Sequence, residues 1–254
     1  MRLSVLIPAY NEYATILPVL GMVCAALPAV EKEIIVVDDC STDGTRTLLQ
    51  NTFPGGAGRY TRVTAAPDGS LDLTPAADGP ISIEVLYHDK NGGKGAAFRS
   101  ALARASGEVV VIQDADFEYD PQDWGQMYNL IAERKVADVV YGSRFYGRPH
   151  RSLFFHHFMA NRLISLLFNV LYNQTLTDIE VCYKMFTREV AKTLKVTCND
   201  FGIEVEISAQ IAKMRTLRIY ELGISYYGRT YVEGKKINWR DGVKALWYLL
   251  KFRF

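Results

Sequence analysis

The run Val109-Val110-Val111-Ile112-Gln113-Asp114-Ala115-Asp116-Phe117-Glu118-Tyr119-Asp120 joins a short β-branched apolar block to a cluster of acids. Consecutive apolar residues without alternation read as a strand buried on both faces, as in a parallel sheet. Carboxylates at alternate positions point the same way while the chain stays extended, so Asp114, Asp116 and Glu118 can converge on one hard cation. An EF-hand loop does not fit, because its glycine position is Tyr119 and its closing glutamate position is Gly125. A solvated acidic turn is the plainer alternative, but it leaves repelling carboxylates at a strand end without compensating charge. The run is therefore read as a metal site that follows a buried strand.

Residues 3–7 and 34–37 are further apolar blocks closed by turn residues, and helical stretches lie between the blocks. Thr15 is placed to cap a helix through Leu27 with Pro18 in its first turn. Thr42 or Asp43 caps a second through Gln50, and residues 95–105 form an alanine-rich third. Strands alternating with helices give right-handed crossovers and an α/β fold with a mostly parallel sheet. Ligands of such sheets bind beyond the carboxyl ends of the strands, so the chemistry belongs just after Ile7, Val37 and Ile112. Residues 53–80 break the rhythm. There, residues 62–65 and 71–74 flank Pro67-Asp68-Gly69, and a small hairpin and a loop are both compatible with the pattern. Residues 81–87 resume as a strand and 138–141 as a weaker one. Residues 153–172 and 204–213 read as helices, and 239–254 as a helix mixing Trp247, Tyr248 and Phe252 with Arg240, Lys244 and Lys251. That mixture suits a membrane interface or an ordinary helix packed on the sheet. No repeat or linker divides residues 1–254, which read as a single domain.

Of the 254 residues 49% are hydrophobic, enough for a sizeable core. Lys and Arg number 29 against 28 Asp and Glu, so no global field points to nucleic acid and any charge-based function is local. Four cysteines and four histidines form no zinc spacing, and the thiols read as reduced packing residues in a cytosolic chain. The opening residues are too short an apolar block for a signal peptide, which gives the expectation that the protein is not secreted by that route. No stretch reaches the roughly 18 apolar residues of a spanning helix.

Three other groups stand at strand ends or helix starts. Val37-Asp38-Asp39-Cys40-Ser41 offers helix caps and, in its paired acids, acceptors for a base N–H or ribose hydroxyls. Ile7-Pro8-Ala9-Tyr10-Asn11-Glu12 ends a strand at a proline and places a ring for stacking. Asn91-Gly92-Gly93-Lys94-Gly95 opens a helix. Its glycines could admit phosphate to backbone amides, but it is not a Walker loop, and helix initiation with close packing is the favoured role. Near the C-terminus, Arg229, Lys235 and Lys236 concentrate cations in one segment, either a solvated turn or a loop that closes on a diphosphate.

This ordered set resembles glycosyltransferase family 2, and within it the polyprenyl-phosphate hexosyltransferases of the dolichyl-phosphate mannose synthase type, over nearly the whole chain. Asp114-Ala115-Asp116 looks like the family's DxD motif, and Tyr141-Gly142-Ser143-Arg144 and residues 229–236 match its later motifs. The resemblance implies a GT-A fold, with interface helices at 151–172 and 239–254. It implies that Pro8, Tyr10, Glu12, Val37 and Asp39 hold the nucleoside. Asp114 and Ala115 then lie on the sugar or ribose side, and Asp116 with Glu118 ligates Mg²⁺ or Mn²⁺ on the diphosphate. Many relatives carry glutamine where this chain has Glu118. Arg144 and Arg162 fall where the family binds the acceptor phosphate, and Arg229, Lys235 and Lys236 where its loop closes on the donor. Asp178 matches a recurrent acidic position of open role.

The implied partners are a nucleotide-sugar donor such as GDP-mannose or UDP-glucose, a polyprenyl phosphate, and the cytoplasmic surface of a membrane, with a separate membrane-anchoring subunit left open. A lipid phosphate is an anion near neutral pH and attacks without a side-chain base. Two alternatives remain: a relative that glycosylates a hydroxyl, with Asp178 or Glu204 as base, and a non-catalytic nucleotide-sugar-binding partner.

Overall fold

The computed structural model describes residues 1–147, 149–152, 154–230, 233 and 239–254, apart from the side chains of 239 and 240. The apolar blocks become the centre of a nine-stranded sheet. Strand β1 (Leu3–Ala9) lies between β2 (Lys32–Asp38) and β6 (Val109–Ile112), parallel to both, and β5 (Ile81–Tyr87) runs parallel along the far side of β2. Ala9 stands beside Asp38 and Leu6 beside Ile112, so the carboxyl ends of these parallel strands lie along one edge of the sheet, with β6 ending three residues short of β1. The apolar side chains of β1 and β6 are buried, as expected of strands covered on both faces.

Residues 53–80 settle the choice left by their sequence. Strands β3 (Ala57–Ala65) and β4 (Leu71–Pro75) form an antiparallel hairpin that extends the sheet beyond β5. On the other side, β8 (Lys184–Thr187) runs antiparallel between β6 and β7 (Val139–Ser143), and β9 (Ile219–Gly223) pairs in parallel with β7. The sheet is thus mixed, with its parallel core where the sequence placed it.

Helix bounds differ from the expected ones for local reasons. Helix α1 (Ile16–Ala25) has Thr15 at its cap position, but the Thr15 hydroxyl bonds the Glu12 carboxylate at 2.9 Å and the Ala115 carbonyl at 2.8 Å instead of capping. It stops before Leu27, whose φ of +48° is left-handed. Helix α2 (Thr45–Thr52) starts later than Thr42 or Asp43, because the Asp43 carboxylate accepts from the Thr45 amide and hydroxyl in a local turn. Helix α3 (Lys94–Leu102) starts at the lysine and ends before residue 105. A 3₁₀ turn (Pro121–Asp123), α4 (Trp124–Tyr128) and a π-helical turn (Asn129–Glu133) lead into β7. The C-terminal half adds α5 (Phe155–Tyr172), α6 (Arg188–Thr193), α7 (Ile203–Lys213) and α8 (Trp239–Arg253). The Tyr172 hydroxyl donates to the Leu249 carbonyl at 3.1 Å and ties α5 to α8.

Candidate active site

Beyond β6 the chain does not stay extended. The Asp116 carboxylate accepts the Glu118 amide at 3.0 Å and turns the backbone, while Asp120 accepts the Gln122 amide at 2.9 Å and caps the next turn. Asp114 faces Lys94, 2.7 Å away. The three acids expected to converge are thus held differently: Asp114 is paired with Lys94, while Asp116 and Glu118 share the Arg229 guanidinium, and the charge of Asp114 still acts on Asp116.

The Arg229 guanidinium donates to Asp116 and lies 3.6 Å from both the Glu12 and the Glu118 carboxylates. Glu118 in turn holds the segment that carries this arginine. It accepts the Arg229 amide at 2.8 Å and the Tyr226 hydroxyl at 3.1 Å, and its carbonyl accepts the Tyr227 amide at 2.9 Å. Burial, and then the charges of Asp114 and Glu118, push the Asp116 carboxyl up to about 7. Burial also opposes the charge on Asp114, but the adjacent Lys94 ammonium overcomes it and holds that carboxyl below its usual range.

A divalent ion fits this arrangement. Two carboxylates are hard oxygen donors and Asp116 carries more negative surroundings than its burial favours, while the buried Arg229 Nε, which finds no hydrogen-bond acceptor, fits an anionic oxygen beside such an ion. Among the described residues no three acids, histidines or cysteines form a metal cage, so the protein would supply Asp116 and Glu118 and leave the remaining positions to other oxygens. Mg²⁺ is commonly bound through one or two carboxylates and substrate phosphates.

Residues 4–195 match the profile of Glycosyl transferase family 2. The chain belongs to this family. It is 28% identical over 246 residues to an undecaprenyl-phosphate mannosyltransferase of Micrococcus luteus, covering 92% of this chain and 87% of that one. It is 29% identical over 226 residues to glycosyltransferase AglJ of Haloferax volcanii, covering 89% of this chain and 63% of that longer protein. Among solved structures, glucosyl-3-phosphoglycerate synthase of Mycobacterium tuberculosis, in complex with Mn²⁺, UDP-glucose and phosphoglyceric acid, superimposes with a TM-score of 0.65. That match is 18% identical and covers 99% of this chain and 79% of that one. The fold of this family 2 glycosyltransferase is accordingly GT-A.

The other expected site residues of the glycosyltransferase divide into those at the cleft and those held by the chain itself. Pro8, Tyr10 and Glu12 lie at and beyond the end of β1, with Tyr10 37% exposed. Val37 is buried in β2. Asp39 is 2% exposed and accepts from the amides of Gly92 and Gly93, at 2.8 and 2.6 Å, with its Oδ1 also 2.7 Å from His88 Nδ1. Asp38 is buried against Arg46, its Oδ2 2.7 Å from Nε. The Gly92 and Gly93 amides of the 91–95 turn thus point at a carboxylate of the protein and not at a phosphate site.

Arg144 makes a two-pronged pair with Asp178, 2.7 Å on each prong, between the rings of Phe145 and Tyr226. Arg162 is exposed on α5. Lys235 and Lys236 lie outside the described residues. Sequence reading missed three contributors: Lys94 as partner of Asp114, Tyr226 as partner of Glu118, and Arg144 as partner of Asp178. Lys94 alone carried a signal, since a lysine between glycines at a helix start has its ammonium close to the strand ends.

Proposed function

We propose that this protein is an inverting, metal-dependent glycosyltransferase that moves a hexose, mannose or glucose, from a nucleotide-diphosphate sugar to a polyprenyl phosphate. The observation that carries the reading is the meeting of Asp116, Glu118 and the Arg229 guanidinium beyond the end of β6, where α/β sheets bind their ligands. Asp116 and Glu118 would hold Mg²⁺ or Mn²⁺ against the donor diphosphate, and the ion, when bound, neutralises charge on the departing nucleoside diphosphate. Arg229 adds a second positive charge beside the same group. Pro8, Tyr10 and Glu12 lie on the nucleoside side, supported from behind by the buried Val37 and Asp39, and Asp114 and Ala115 lie on the sugar side.

An acceptor phosphate oxygen forms the new bond to the anomeric carbon while the bond to the donor diphosphate breaks. Attack from the opposite face inverts that centre, giving a β-linked product from an α-linked donor. No proton has to be removed from the acceptor, which is already an anion. Hydroxyl transfer would call on a free carboxylate as base, and both residues suited to that task by position in the sequence are engaged. Asp178 is gripped by Arg144, and Glu204 lies between Lys94 and Lys184. This favours the phosphate acceptor, for which Arg144 and Arg162 supply planar donors.

The lipid needs a surface. No helix among the described residues is long and apolar enough to cross a membrane. Helix α5 exposes Phe155, Met159, Leu163, Leu166 and Val170, spaced three and four apart on one side, and α8 exposes Val243, Trp247 and Leu250 in the same rhythm, with the exposed Phe254 just past its end. Arg162, Lys251 and Arg253 are exposed on the same two helices. Apolar rows with basic neighbours match the anionic cytoplasmic leaflet, so the enzyme sits peripherally on that face. Burying one such apolar side chain contributes about 1.5–3 kcal/mol. The double substitution Leu166→Asp with Leu250→Asp is expected to lower partitioning onto phosphatidylglycerol vesicles, measured by flotation, more than tenfold. Donor affinity should stay within twofold.

A direct test gives the protein radiolabelled GDP-mannose or UDP-glucose with Mn²⁺, and either undecaprenyl phosphate or a panel of simple hydroxyl acceptors. The proposal expects label in the lipid phosphate product with one donor. Label on hydroxyl acceptors alone would support the alternative enzyme, and no turnover with any donor despite tight binding would support a non-catalytic role.

A further inference from the structure

We infer that the 91–95 turn is a clamp that fixes an acid from each of two strand ends, with Lys94 the positioning residue for Asp114. The inference rests on the donor reading above and adds to it a residue and a motif that this reading left with only a packing role.

Lys94 Nζ lies 2.7 Å from Asp114 Oδ1 and 3.1 Å from Glu204 Oε1. The other Glu204 oxygen is paired with Lys184, which is fully buried, also donates to the Val181 carbonyl, and stands 5.5 Å from the centre of the Tyr141 ring. Charges therefore alternate from Lys184 through Glu204 and Lys94 to Asp114, linking β8 and α7 to the end of β6. Each ion has an opposite neighbour, the condition under which buried charges are tolerated. Cutting the row at Lys94 leaves Glu204 with Lys184 but deprives Asp114 of its only close cation in the row.

The turn itself is anchored twice. Its Gly92 and Gly93 amides hold Asp39, and the Gly95 amide donates to the Asn199 carbonyl at 2.8 Å. Gly93 has φ +84°, and a Cβ there would stand 2.3 Å from the Asn199 oxygen, so only glycine lets the turn dock so closely. One rigid segment thus sets Asp39 at the end of β2 and Asp114 at the end of β6. Lys94 on Oδ1, together with the buried Cys182 thiol that also bonds this carboxylate, restrains Asp114 at the end of β6. Lys94 acts on the donor through Asp114.

The test is a double-mutant cycle in full-length protein, with GDP-mannose and UDP-glucose titrated by calorimetry in Mn²⁺ and KM measured separately for donor and acceptor. Residues joined in one charge network are expected to couple, so Lys94→Met should weaken donor binding roughly tenfold or more and leave the acceptor KM unchanged. In the Asp114→Asn background it should add less than twofold. Lys94→Arg, which keeps a cation for both acids, should recover part of the loss. If Lys94→Met fails to fold, Lys94→Gln enters the same cycle. Unchanged donor affinity on substitution, or an equal loss with and without Asp114, would overturn the clamp. A wild-type protein that binds neither donor would overturn the donor reading instead.

Discussion

Asp116→Asn is expected to lower kcat/KM for sugar transfer by about 10²–10³-fold or more, the scale on which a preorganised electrostatic contact to the departing group acts. The substitution keeps shape and removes charge. Asparagine still offers an oxygen to the Glu118 amide, so the turn after β6 should survive, but it loses the charge that pairs with Arg229 and would hold a divalent ion. Stability should change little, because two effects oppose each other. Arg229 loses a partner, while the site is relieved of a carboxylate that burial, Asp114 and Glu118 all disfavour in its charged form. Donor titrations with and without Mn²⁺ check the point: the metal should strengthen donor binding by wild type and fail to do so for the variant, with thermal unfolding nearly unchanged.

Arg144→Met is expected to act first on the fold. Asp178 is wholly buried, and its oxygens accept from the Arg144 side chain and backbone amide. Removing one member of a buried pair and leaving the other charge unpaired typically costs about 3–5 kcal/mol. In a domain of this size that corresponds to a melting-point loss of roughly 6–20 °C. The double variant Arg144→Met with Asp178→Leu should recover much of the loss, because two apolar groups can replace a buried pair with little penalty. Urea unfolding of both variants measures the difference. If the single variant unfolds like wild type, Arg144 is not structurally committed to Asp178.

The same two residues show how far the sequence could be read. The strands that end at Ala9, Asp38 and Ile112 were legible because apolar runs of β-branched residues have few other uses, and their carboxyl edge is where the acids gather. Asp116 and Glu118 were legible as a pair. Which acids stayed beside them was not, since that depends on a turn made by Asp116 itself and on lysines from distant elements. Strand β8 escaped notice because Lys184 interrupts its apolar pattern, and only the buried partner Glu204 explains a lysine there. Arg144 was expected at an acceptor phosphate, and its place in an ion pair was not legible, because Asp178 lies 34 residues further along the chain. Charge pairing over such separations leaves no periodic trace in a single sequence.

The central claim concerns what Asp116 and Glu118 grip. The most direct measurement is an anomalous-scattering map from crystals grown with Mn²⁺ and the nucleotide-sugar that binds. The account predicts one peak at about 2.1 Å from oxygens of both carboxylates, in contact with the donor diphosphate and with Arg229 alongside. A peak elsewhere, or a diphosphate seated away from the end of β6 with Asp116 still held only by Arg229, would contradict it.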